Sequence, residues 1–210
     1  MCLNGLLMKS LTLPLIVVLL METSAFAQAE RPTIPDVLAR AGESLSGVSF
    51  VPSGPTPTVA DILEDTDIIV RGVVGEPRSY LSEDQRDVYT DYPINGPTFL
   101  YQATLESSPK PGIVPSVVIT VRGGSVRING LTYTFVDYAL RPLKPGSECL
   151  LLLKRVGDHY AIAGSYLGIF GVADGKLTPL TGKQGFAPEY RDVPVTQAAN
   201  EIVMRRRALR

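Results

Sequence analysis

Tryptophan is absent from these 210 residues, histidine occurs once and cysteine twice. Each shortage closes off chemistry. A Ser-His-Asp triad would have to use His159, with serine and acid drawn from elsewhere. His159 sits beside Asp158 at an expected hairpin turn, where a solvated structural role is the plainer reading. No G-x-S-x-G elbow is present, since Gly164-Ser165-Tyr166-Leu167-Gly168 has its serine displaced. Zinc needs about four His, Cys or acid ligands, or three with an open position, and one histidine with one buried cysteine does not supply the usual sets. Neither a metal nor another cofactor is expected. Charge of either sign is also scarce in excess: the net value is −1, so no global field draws nucleic acid or acidic lipid.

The acids that are present are not diagnostic. Glu83, Asp84, Asp87 and Asp91 do not follow the spacing of an EF-hand loop, and a solvated loop explains them. Paired carboxylates for glycoside hydrolysis need two acids across a cleft, and a chain with 21 acids always offers pairs. Gly123-Gly124 lacks Walker or Rossmann spacing and reads as a strand-end turn.

Seventeen prolines and 19 glycines favour a turn-rich fold over a helical bundle. The N-terminus reads as an export peptide over residues 1–27: a positive start at Met8-Lys9, an apolar run from Leu11 to Leu20, and the A-x-A site Ala25-Phe26-Ala27. Ala27-Gln28-Ala29 offers a second cleavage site, and Met8 is a candidate initiator alongside Met1. The apolar run is about half the ~20 residues that span a bilayer, so no transmembrane span is expected in the mature chain. The protein is expected in the periplasm or secreted. Cleavage removes Cys2 and leaves Cys149, so no intramolecular disulfide forms and stability rests on the core. Cys149, beside four leucines, reads as a small buried hydrophobe rather than a reactive thiol.

Residues 28–57 are expected to hold a short helix, Ile34–Ala41 closed by Gly42, and a Pro/Gly/Ser linker from Gly47 to Pro57. Residues 58–186 are expected to form the main domain. Thr58 and Asp61 make a helix-capping pattern. Asp67 to Val74 reads as a strand, with Gly72 marking a bulge or sharp bend. Thr98 to Glu106 alternates, placing Phe99, Tyr101, Ala103 and Leu105 on one face. Ser116 to Arg122 alternates with Val117, Ile119 and Val121 inward. Asn129-Gly130 predicts a hairpin with Ile128 opposite Leu131 and Val126 opposite Tyr133. Cys149 to Leu153 is short and apolar throughout, as a strand buried on both faces would be. Gly157-Asp158 then sets Val156 against His159 and Leu153 against Ile162. A helix is the rival reading there, opposed by Gly157, Gly164, Gly168 and Gly171. Asp174-Gly175 sets Val172 against Leu177. Residues 187–210 are expected to be a helical tail with Val195, Ala198, Ala199, Ile202 and Val203 on one side and a solvated arginine-rich end.

The order of these strands, with Ala60–Val74 (ADILEDTDIIVRGVV), Val117–Gly124 (VVITVRGG) and Pro145–Leu153 (PGSECLLLL), resembles exported bacterial proteins of unknown function that have a netrin-like, tissue-inhibitor-like OB barrel. The resemblance covers about residues 58–180. It implies a mainly β fold: a small OB-like antiparallel barrel with a short N-terminal helix and a C-terminal amphipathic helix. In the inhibitors, the likeness implies, an N-terminal cysteine chelates a protease zinc and disulfides brace the barrel. Here the expected mature N-terminus is Gln28 and no disulfide is possible, which separates this chain from that mode of inhibition.

The best candidate surface is the polar excursion from Gly75 to Pro97, taken as a long loop. Loops beyond ~12–15 residues are uncommon unless functional or disordered. Arg78, Tyr80, Arg86, Tyr89 and Tyr92 give it an interface-like composition; the alternative is that its tyrosines fold back on the barrel. The expected function is a non-enzymatic binding module for a protein or glycan of the cell envelope. A protease inhibitor acting through an exposed loop and a hydrolase of unrecognised type are the alternatives. Nucleic acid is not an expected partner.

Overall fold

The computed structural model describes residues 31–49, 57–103, 116–137, 140–157, 159–180 and 188–209. The expected export peptide, residues 50–56 of the predicted linker, residues 104–106 of the predicted Thr98–Glu106 strand and Asp158 of the predicted Gly157-Asp158 turn lie outside them. Pro32–Arg210 forms one compact unit.

In chain order the elements are α1 (Ile34–Ala41), β1 (Leu45–Ser49), α2 (Val59–Glu64), β2 (Ile68–Val74), β3 (Arg78–Leu81), β4 (Val88–Gln102), β5 (Val117–Arg122), β6 (Gly124–Ile128), β7 (Leu131–Asp137), β8 (Glu148–Val156), β9 (His159–Ile162), β10 (Ile169–Ala173), β11 (Lys176–Pro179) and α3 (Val195–Ala208). Five strands close on themselves in the cycle β2-β4-β5-β9-β8. All pairings in that ring are antiparallel except β5–β9, which is parallel at Ile119 and Tyr160. The chain is therefore mainly β, a small closed OB-like barrel with a short N-terminal helix and a C-terminal helix. β10 and β11 extend the barrel sheet beyond β8, while β1, β7 and β6 form a separate three-stranded sheet.

β8 is the strand around which the two larger of three cores form. Side chains alternate across a strand, so Cys149, Leu151 and Leu153 enter the barrel interior with Val70, Ile94 and Ile119. Leu150 and Leu152 point the other way, into a second core with α2 and α3. All five are fully buried, and a buried leucine stabilises by ~1.5–3 kcal/mol. The three predicted hairpin registers are present: Ile128 faces Leu131, Leu153 faces Ile162 and Val172 faces Leu177.

Both cap signals also hold. Thr58 and Asp61 form a reciprocal capping box at α2, and Gly42 closes α1 at φ 69°. The buried side of α3 carries Val195, Ala198, Ala199, Ile202 and Val203, as the periodicity requires. This helix is no detached tail, because those residues share a core with β8. Nor is its basic end wholly solvated. Arg206 is buried, donates through Nε to the Thr66 carbonyl at 2.7 Å and lies 5.4 Å from the Tyr101 ring centroid.

Three other expectations are corrected. Leu45–Ser49 overlaps the predicted linker, yet it is a strand paired in parallel with β7. The predicted Thr98 strand begins ten residues earlier, at Val88. Its shared face is also broken: Tyr101 pairs with Ile69 but Phe99 pairs with Val70, which leaves Leu100 as an extra residue. Such a bulge bends a strand and redirects its side chains, so Phe99 packs in the barrel while Tyr101 and Ala103 pack toward α3. The register does shift at Gly72, but the extra residue lies on β4: Gly96 and Pro97 face the single Gly72 between the Arg71–Thr98 and Val73–Asn95 pairs, while Gly72 stays in regular register with Cys149 of β8. At Gly72 a Cβ would stand 2.4 Å from the Ile94 side chain.

Burial pushes the Cys149 thiol up to about 12. An unfolded thiol titrates near ~8.5, so the folded state holds the proton more tightly. That contribution to stability is complete below about pH 8.5 and is lost as pH rises toward the folded value. Urea midpoints measured between pH 7 and 11 should fall on the alkaline side, and Cys149→Ala should flatten the onset of that fall. Peptide mapping after exposure to a thiol reagent at pH 8 should find Cys149 unmodified in the folded chain and modified in urea. Ready labelling of the folded chain would contradict this burial.

Candidate ligand-binding face

The predicted polar loop is a β-hairpin. β3 pairs with the first half of β4, matching Arg78 with Asp91, Tyr80 with Tyr89 and Leu81 with Val88. The turn is short, closed by Ser82 N–H to the Asp87 carbonyl at 2.9 Å and Gln85 N–H to the Ser82 carbonyl at 2.9 Å. The Ile34 N–H at the start of α1 binds the Gln85 carbonyl at 2.8 Å, tying the tip to that helix. Pro93 is tolerated inside β4 for a geometric reason. Its carbonyl accepts from Gly75 N–H at 2.7 Å, and in an antiparallel ladder a residue's N–H points the same way as its carbonyl. The missing donor thus faces the interruption between β2 and β3.

Period-2 alternation then sorts the predicted site residues. Val88, Thr90, Tyr92 and Ile94 are buried. Tyr89 and Asp91 take the opposite face, joined by their partners Arg78 and Tyr80 on β3 and Arg122 and Thr120 on β5. Arg78, Tyr80 and Tyr89 are therefore brought together. Arg86 sits at the exposed turn, its N–H held by Ser82 Oγ at 3.1 Å and Asp84 at 3.2 Å. Tyr92 turns inward to 8% exposure, where burial raises its phenol above the ordinary range. The idea that all five residues share one surface is corrected by this alternation.

Three residues of the face were not picked out as site residues from the sequence. Asp91 accepts a hydrogen bond from Tyr80 Oη at 3.2 Å and from Thr120 Oγ1 at 2.6 Å. Arg122 donates through Nε to Asp87 at 3.0 Å and lies 4.9 Å from the Phe135 ring centroid. The Asp87 bond raises the Arg122 guanidinium above its usual value. The alternation of VYTDYPI places Asp91 beside Tyr89, and that of SVVITVR turns Thr120 and Arg122 away from Val117, Ile119 and Val121. Nothing local signalled that the two segments pair, since Asp91 and Thr120 stand 29 residues apart.

The Tyr80 and Tyr89 rings are 6.3 Å apart and tilted by 32°, and Tyr80 is 38% exposed. Partial burial, and then the Asp91 charge, raises the Tyr80 phenol. Among the described residues, no ion pair engages Arg78. The face thus offers two aromatic rings, a fixed carboxylate and an uncommitted guanidinium, a set suited to stacking and hydrogen bonding.

The three aspartates of this region are occupied. Asp84 binds Ser82 and the Arg86 N–H, Asp87 pairs with Arg122, and Asp91 is held as above. Among the described residues there is no group of three His, Cys, Asp or Glu side chains placed to hold a metal ion. No helix among them is long and apolar enough to cross a membrane. Gly123 N–H is committed to the Val88 carbonyl at 2.8 Å, which fits a strand connection at Gly123-Gly124. Searches against protein-family models, curated proteins and solved structures find no match to this chain.

Proposed function

We propose that this protein is an exported, non-enzymatic binding module whose ligand surface is the outer face of β3, β4 and β5. The observation that carries the reading is the outward Tyr80–Tyr89 pair, flanked by Arg78 and by an Asp91 carboxylate held by Thr120. β4 and β5 occupy the positions of the second and third strands of an OB barrel, the face on which such barrels bind oligosaccharides and oligonucleotides. That part of the argument is analogy at the level of fold. A near-neutral chain and the Asp91 carboxylate favour an uncharged glycan or a protein of the cell envelope over a polyanion. Export rests on the charged start, apolar run and A-x-A site of residues 8–27. The barrel is consistent with the netrin-like resemblance, which remains part of the same proposal.

The test is a double substitution, Tyr80→Ala with Tyr89→Ala. Capture of envelope material on the immobilised protein should fall at least tenfold, with the thermal midpoint moved by only a few degrees because neither ring belongs to a core. Full capture by this variant would remove the face from consideration.

A further inference from the structure

A cleft of about 470 Å³ opens between the end of β5 and β7, roofed by Leu140, Arg141 and Pro142. It lies next to the tyrosine face but has a different character. Its volume is within the ~300–1,000 Å³ typical of small-molecule sites, which are mostly apolar with a few placed polar groups. Val121, Phe135 and Leu140 supply apolar walls.

The charges on its rim are not equivalent. Arg122 is committed to Asp87. Asp137 accepts from Tyr166 Oη at 2.7 Å, so its carboxylate is already solvated by the protein. Arg141 is anchored through its backbone, whose N–H binds the Leu180 carbonyl at 2.9 Å. Its exposed guanidinium has no ion-pair partner among the described residues. The uncommitted charge on this rim is therefore positive.

We propose that this cleft is a binding site for a small amphipathic carboxylic acid. The apolar body rests against Val121, Phe135 and Leu140, and the carboxylate meets Arg141, whose planar guanidinium suits bidentate pairing. The site borders the tyrosine face and shares Arg122 with it, but neither Tyr80 nor Tyr89 lines it, and its ligand is a small molecule rather than an envelope polymer.

The probe is 2-naphthoate, with uncharged 2-naphthamide as its control, followed by fluorescence titration; the chain has no tryptophan to interfere. Naphthoate should bind saturably at one site. Arg141→Gln, at an exposed position, should weaken naphthoate at least tenfold and leave naphthamide within about twofold. Val136→Phe adds bulk at a cleft-lining position that is 37% exposed, and it should abolish binding of both compounds without lowering the thermal midpoint. The Tyr80/Tyr89 double variant should bind naphthoate normally, which separates failure of this site from failure of the binding face. No saturable binding of naphthoate, or unchanged binding by the Arg141 and Val136 variants, would overturn the proposal.

Discussion

Leu152→Ala should lower unfolding free energy by about 2–5 kcal/mol, and Leu151→Ala by a similar amount. Adjacent residues on an ordinary half-buried strand would behave differently, one costly and the next nearly neutral. Here both side chains are fully buried, Leu151 inside the barrel and Leu152 against the α3 side. A domain of this kind has only ~5–15 kcal/mol in hand, so either change removes a large fraction. Urea denaturation should show a lower midpoint with an unchanged slope, the signature of lost stability without lost cooperativity. The two variants should differ in where they loosen the fold. Leu152→Ala should speed amide exchange in α3, whose Ala198 and Ile202 pack in the same core, whereas Leu151→Ala should speed it in β5. A cost below about 1 kcal/mol at either position would contradict burial on both faces.

Gly124→Ala should be as damaging, at about 2–6 kcal/mol, for two combined reasons. Gly124 has φ of 129°, a conformation that costs a residue with a side chain ~1–3 kcal/mol. A Cβ would also stand 2.1 Å from Thr90 Oγ1 and 2.5 Å from Ser79 Oγ, and overpacking costs ~1–3 kcal/mol. Those hydroxyls cannot simply swing away. They bond each other at 2.8 Å, and Thr90 Oγ1 also donates to the Gly123 carbonyl at 2.5 Å in a buried setting. Gly130→Ala is the control. It shares a positive φ of 87° but meets nothing within 4 Å, so only backbone strain of about 1–2 kcal/mol is expected. Because Ser79 and Thr90 pair β3 with β4, Gly124→Ala should also reduce capture by the tyrosine face. Equal effects of the two alanines, read from thermal or urea midpoints, would show that the close approach at Gly124 contributes nothing.

Part of the candidate site was legible before the fold was known. Arg78, Tyr80 and Tyr89 stand out as an unusual composition, and they do share a surface. Their supporting partners were not legible, because Asp91 meets Thr120 only through the β4–β5 register, across a loop lying between two distant segments. Tyr92 was assigned to the wrong surface because the segment was taken as a loop. In a strand, a shift of one residue reverses the face.

Locally encoded features were determined by the sequence alone. Asn129-Gly130, Gly157-Asp158 and Asp174-Gly175 each specify a turn through backbone conformations available cheaply to few residues, and register follows from the turn. The apolar side of α3 and the two-sided burial of β8 follow from periodicity, which is a property of neighbouring residues. Tertiary structure decided whatever depends on a distant partner. Pro93 can lie within β4 only because β2 and β3 part beside it. Leu100 bulges because β2 and β4 must stay paired while the barrel curves. Leu45–Ser49 becomes a strand because β7 offers it an edge, and Arg206 is buried because Thr66 supplies a carbonyl 140 residues away. Hydrogen-bond satisfaction and barrel closure are conditions on pairs of remote segments, so neither segment carries the answer by itself.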